Sequence, residues 1–213
     1  MRLVLTSDFH GFLPDKVPEC DLLLIAGDVC PVWNHDRRVQ ALWLKSDFAD
    51  WLREQPATDI VGISGNHDFV LEVSHIGEDL PWIYLEDTNV EIQGLKIHGS
   101  PYSNKFGHWA FMRSDENLDK ITWPKIPKDV DVLLIHGPAY GCGDLTIDNE
   151  HVGSMSLEKR LRTPIIFPKL KLYVFGHIHE AYGQWKIGGV PAFNASHVDI
   201  DYKPVNPVWE FEL

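Results

Sequence analysis

The stretch Ile60-Val61-Gly62-Ile63-Ser64-Gly65-Asn66-His67-Asp68 runs from apolar, largely β-branched residues straight into an amide, an imidazole and a carboxylate. An apolar run that stops at a glycine predicts a strand ending in a polar loop. A carboxamide oxygen is a modest ligand for a divalent cation, and the imidazole beside it binds metal or moves protons near neutral pH. The same tetrapeptide is also ordinary turn chemistry, so its weight depends on whether the chain repeats the event.

The chain does repeat it. Residues 2–6 end at Ser7-Asp8-Phe9-His10-Gly11, residues 21–26 at Gly27-Asp28, residues 130–135 at His136-Gly137-Pro138, and residues 170–175 at Gly176-His177-Ile178-His179. These runs are apolar almost throughout, the pattern of strands covered on both faces in α/β sheets. Sites in such sheets gather beyond the carboxyl ends of the strands. Asp8 and His10, like His177 and His179, stand two apart, so in an extended chain each pair faces one side.

Between these runs the periodicity predicts one long helix over residues 36–55, with Val39, Leu42, Trp43, Ala49 and Leu52 on its apolar face and Pro56 closing it. A helix of about two turns is expected over residues 69–75, some helix over 114–120, and a short helix over 154–162 with Ser154 as its cap. Short β pieces fall between residues 82 and 98, and residues 184–187, 190–194 and 208–211 read as a closing β-meander. Residues 1–213 form one domain on this reading, with no repeat or linker.

The net charge of −12 argues against a long nucleic acid as partner. No apolar run approaches the roughly 20 residues of a membrane helix, and the first apolar segment is too short for a signal peptide. Cys20, Cys30 and Cys142 form no C-x-x-C pair, which points to a reducing cytoplasm. The oligomeric state is not legible.

Seven donors, Asp8, His10, Asp28, Asn66, His136, His177 and His179, are more than one ion needs and suit two metals sharing a carboxylate. Oxygen and imidazole without thiolate favour Mn²⁺ first, with Fe, Zn²⁺ and Ni²⁺ as alternatives. Two such ions about 3.5–4 Å apart clamp phosphoryl oxygens, which is hydrolytic phosphoester chemistry.

Asp8-x-His10, Gly27-Asp28, Gly65-Asn66-His67-Asp68, His136 and Gly176-His177-x-His179 together resemble the signature of calcineurin-like metallophosphoesterases. His98-Gly99-Ser100-Pro101-Tyr102, Trp109-Ala110-Phe111, His136-Gly137-Pro138, residues 176–183 and Asn194-Ala195-Ser196 extend the likeness to the MPPED-type metallophosphodiesterase subgroup. The resemblance implies an α/β fold, a four-layer α/β/β/α sandwich of two mixed sheets flanked by helices. It implies that Asp8, His10 and His179 bind one metal, that Asn66, His136 and His177 bind the other, and that Asp28 bridges them. His67 would be the general acid, and Asn66, His67 and His136 would contact the substrate phosphate, which a bridging hydroxide attacks in line.

The implied activity is hydrolysis of small phosphodiesters, cyclic nucleotides among them. The alternatives are a phosphomonoesterase or protein phosphatase of the same superfamily, and an inactive scaffold with the same fold. The phosphatase pattern Gly-Asp-x-x-Asp-Arg-Gly is absent, since the chain reads Gly27-Asp28-Val29-Cys30-Pro31-Val32-Trp33, and no ligand position is eroded. Asp68 either orients a neighbour or caps a helix. His98, Asn104, His108 and Tyr140 are candidates for a substrate wall. His35, His75, His151 and His197 match no ligand position, and Trp33, Trp43, Trp51 and Trp82 are expected in the core.

Overall fold

Alternation inside the buried strands sorts the side chains into layers. The computed structural model describes residues 1–213. Its first sheet holds β1 (Arg2–Thr6), β2 (Cys20–Ile25), β3 (Ala57–Gly62), β4 (Ile83–Tyr84) and β13 (Trp209–Glu212), in the order β13-β1-β2-β3-β4. The second runs β11-β12-β10-β9-β6-β5, built from β5 (Thr88–Ile92), β6 (Leu95–Ser100), β9 (Val132–Ile135), β10 (Leu172–Phe175), β11 (Gly183–Ile187) and β12 (Val190–Asn194). A minor pair, β7 (Ser103–Asn104) and β8 (Met112–Arg113), lies outside both. The central strands of each sheet are parallel, and β13, β5 and β11 add antiparallel edges.

Leu3, Leu5, Leu22 and Leu24 face Val132, Leu134, Leu172 and Val174 in one core between the sheets. The alternate residues turn outward. Val4, Leu23 and Ile25 pack under the helices α1 (Arg37–Trp43) and α2 (Ala49–Glu54). Leu133, Ile135, Tyr173 and Phe175 pack under α3 (Asp115–Asn117) and α4 (Met155–Leu161) with their flanking turns. These are the four expected α/β/β/α layers, with three cores between them. Each fully buried aliphatic chain contributes roughly 1.5–3 kcal/mol. No helix is long and apolar enough to cross a membrane.

Several local expectations are corrected. The helix over 36–55 is interrupted by a π-turn at Leu44–Phe48. The wider turn rotates the apolar face, so Leu42 is 71% exposed while Gln40, Leu44, Phe48 and Trp51 are buried. Gln40 is tolerated inside because its amide donates to the His67 carbonyl at 2.7 Å and accepts from the Val70 N–H at 3.0 Å. That bond takes the Val70 N–H out of any local helix, and the expected helix over 69–75 is only a 3₁₀ turn, Leu71–Val73, with a second beyond it at Ile76–Asp79. Trp33 is 60% exposed rather than core. The expected meander splits, since β11 and β12 pair in the second sheet while β13 crosses to pair with β1. The hairpin β5–β6 turns at Gln93 and Gly94, whose φ of 50° and 81° match the two-residue turn that a twisted hairpin needs.

His98, a candidate for the substrate wall, lies instead on β6 with its ring buried against Asn89 at 2.7 Å. Burial pushes it down to about 4, with Asp87 opposing. An unfolded histidine binds its proton near pH 6.5, so His98 makes the fold more stable as pH rises from about 4 to 6.5 and costs stability as it falls through that window. His98→Gln should therefore flatten the acid limb of the stability profile by up to about 3 kcal/mol, measured by urea unfolding between pH 4 and 7.

Candidate metal centre

Register brings the strand ends together. Thr6, Ile25 and Gly62 stand side by side at the carboxyl ends of β1, β2 and β3. Across the interior, the ends of β9 and β10 meet them through the His136 ring, whose Nδ1–H donates to the Ala26 carbonyl at 2.8 Å. The loops leaving these ends bring Asp8, His10, Asp28, Asn66, His67, His136, His177 and His179 into one cluster.

The backbone there is not extended. Asp8, His10, Asp28 and His177 have φ of 52°, 48°, 52° and 72°, the left-handed region that residues other than glycine adopt only when their surroundings hold them there. Neither Asp8-x-His10 nor His177-x-His179 continues its strand, as the two-residue spacing suggested, and His179 opens a 3₁₀ turn. The holding contacts are visible. The Asp8 N–H donates to the Gly27 carbonyl at 2.9 Å, and the His10 N–H to the Asp28 carbonyl at 3.0 Å. Asp8 accepts from the His177 N–H at 3.1 Å and from the Ser196 hydroxyl at 2.7 Å. Asp28 accepts from the His67 N–H at 2.7 Å.

Asp68 orients its neighbours. It accepts from the N–H groups of Gly65, Cys30 and Val29 at 2.7, 2.8 and 3.3 Å, tying the loop after β3 to the loop after β2. Burial and the nearby Asp28 push it up to about 6.

Three overlapping groups of ligand atoms lie within 4.8 Å of one another: Asp8, His10 and His179; Asp8, Asp28 and His136; and His10, Asp28 and His67. Asn66 adds its carbonyl oxygen 3.0 Å from His136 Nε2. His177 stands further out, its ring 5.0 Å from that of His136 and outside the three groups. His67, expected beside the metals rather than on them, enters the tight group with His10 and Asp28.

The residues fit divalent cations on several counts. Asp8 and Asp28 are buried, and their ion-pair partners are all histidines, at 3.4 to 3.9 Å. Atoms ligating one ion at about 2.0–2.2 Å stand about 3–4 Å from each other, the spacing found here. His136 spends its Nδ1–H on a backbone carbonyl, so Nε2 is the ring atom that faces Asp28 and Asn66 and is placed to ligate. His10 Nε2 faces His179 Nε2 at 3.0 Å, and its buried Nδ1 has no partner.

Electrostatics follows burial and these neighbours. Burial pushes His10 and His177 down to about 3, the first against Asp28 and the second aided by His136. Burial also works against a charged His136, but Asp28 and Asp8 outweigh it and push that ring up to about 9. Burial would raise both aspartates, yet His179 and His136 hold Asp8 low, and His136 and His67 hold Asp28 low. His67 is pushed down by burial, with Asp28 opposing.

Other residues reach the cluster without having been assigned a role there, although Trp109 belongs to a motif of the subgroup resemblance. Trp109 lies on the His67 ring at 4.4 Å, Phe106 approaches His177 at 5.6 Å, and Tyr202 reaches His10 at 4.9 Å from the crossover between β12 and β13. His35, matched to no ligand position, is exposed and meets His67. For Phe106, Tyr202 and His35 only placement in three dimensions identifies them. Gly65 and Gly176 are required here, since a Cβ on the first would overlap Asp28 and His136 and on the second Asp8 and Ser7.

Comparisons with known proteins agree with this geometry. A model of the calcineurin-like phosphoesterase family matches residues 1–181. Metallophosphoesterase domain-containing protein 1 of Homo sapiens is 31% identical over 239 aligned positions, covering 97% of this chain and 69% of that protein. A probable rhamnogalacturonate lyase C of Emericella nidulans is 34% identical over 198 positions, 86% of this chain but 18% of that protein. A crystal structure at 15% identity superimposes with a TM-score of 0.62 over 91% of this chain and 89% of that one, a likeness of fold alone. The strand-end motifs, the two mixed sheets and the matched family model together establish that the chain belongs to the calcineurin-like phosphoesterases, a family that binds divalent metals.

Proposed function

We propose that the protein is a dinuclear metal-dependent phosphodiesterase acting on small phosphodiesters, cyclic nucleotides among them. The observation that carries this reading is the sharing of Asp8, His10 and Asp28 among three overlapping donor groups, more than one cation needs. Asp8, His10 and His179 would hold one ion, and Asn66, His136 and His177 the other, with Asp28 between. Manganese suits this oxygen and imidazole set.

Bound divalent cations supply positive charge to phosphoryl oxygens and a nucleophile from water at neutral pH. The chain's own residues do the rest. Asp28 is fixed by the His67 N–H and Asp8 by the His177 N–H and Ser196, so neither carboxylate need reorganise as charge develops. Asn66 and His136 lie beside Asp28, where a phosphate would be gripped. His67 donates the proton that a departing alkoxide needs, an effect of about 10²–10⁴-fold. The ion-pair partners of Asp8 and Asp28 are histidines alone.

Hydrolysis of bis(p-nitrophenyl) phosphate should require added Mn²⁺ or a similar ion, and undiminished turnover in excess chelator would refute the mechanism. Rates across mono- and diesters should favour diesters, while activity confined to monoesters would put the phosphatase reading ahead. Asp28→Asn should weaken both ions about 10–100-fold by calorimetric titration, because the bridging charge is shared. His67→Ala should lower turnover of alkyl esters about 10²-fold or more with metal content near wild type; loss of both metals would show that His67 is a ligand.

A further inference from the structure

We propose that His35 is a positioning residue for His67, orienting its ring through Nδ1 so that Nε2 is turned to the leaving oxygen. The inference rests on the general-acid reading of His67 above.

His67 Nδ1 stands 3.4 Å from His35 Nε2, the one side-chain hydrogen bond of the His67 ring. A general acid or base of this kind usually has its Nδ1 held by a carboxylate. Here a second imidazole takes that place, and Nε2 is left for substrate. A bond of 3.4 Å is long, as catalytic hydrogen bonds often are before substrate binds. Burial separates the two rings in function: His67 is 6% exposed, whereas His35 is open to water. His35 is also held in place. Its ring packs against Phe69 at 5.3 Å and Trp109 at 5.5 Å, and its chain neighbour Asp36 caps α1 through the Arg38 N–H. Trp109 covers the His67 ring at 4.4 Å, so the imidazole pair shares one aromatic wall.

The test uses two diesters with Mn²⁺, bis(p-nitrophenyl) phosphate, whose leaving group departs without a proton, and diphenyl phosphate, whose leaving group needs one. His35→Phe keeps an aromatic ring in the wall and removes the hydrogen bond to His67 Nδ1. Its kcat on diphenyl phosphate should fall about tenfold or more, with KM unchanged and bis(p-nitrophenyl) phosphate within about twofold of wild type. Equal losses on both esters, or no loss on either, would overturn the proposal. Nitrogen-15 spectra of the metal-free protein give a second readout: the His67 Nδ1 resonance should move in His35→Phe, and an unmoved resonance overturns the hydrogen bond. A wild-type enzyme inactive on both esters would instead bring down the reading of the whole site and the positioning role with it.

Discussion

Two carboxylates buried where the sheets meet, with only imidazoles as ionic partners, set the terms for everything around them. Removing a carboxylate from water costs several kcal/mol unless hydrogen bonds and opposite charge offset it. Asp8 and Asp28 meet that cost with donors from other strand ends, the His177 N–H, the Ser196 hydroxyl and the His67 N–H. The charges therefore demand that loops far apart in sequence arrive at one place. The left-handed φ angles at Asp8, His10, Asp28 and His177 are the strain that this crowding imposes.

The three cores make the strain affordable. The interior layer locks the two sheets face to face, so the carboxyl ends of β1, β2 and β3 cannot drift from those of β9 and β10. The bond from the His136 ring to the Ala26 carbonyl crosses that seam and fixes the tautomer at once. Outside it, Gln40 reaches from the first helix to the loop at His67 and Val70, which couples the helical layer to the site. Packing and chemistry here are one construction: the same loops that close the sandwich present the donors.

An aromatic wall completes the pocket. Trp109, Phe106 and Tyr202 come from segments that are irregular or cross between sheets, and each stands against a different ring of the imidazole cluster. Their apolar faces lower the local dielectric around His67 and His10, which strengthens every electrostatic contact inside.

Much of this was legible in the chain itself. Apolar runs ending in Asp8, Asp28, Asn66, His136 and His177 announce buried strands with donors at their tips, because a both-faces-covered strand has no other place for polar atoms. Ser154 announced the cap of α4 for the same local reason, an orphan N–H needing an acceptor. What local pattern could not carry was anything set by partners distant in sequence. The π-turn that exposes Leu42, the crossover that sends β13 to β1 and Tyr202 to His10, the withdrawal of His98 from the pocket and the meeting of His35 with His67 all depend on which surfaces pack together. Residue type and spacing determined which atoms seek a cation; only the close packing of two sheets decided which of those atoms stand within reach of one another.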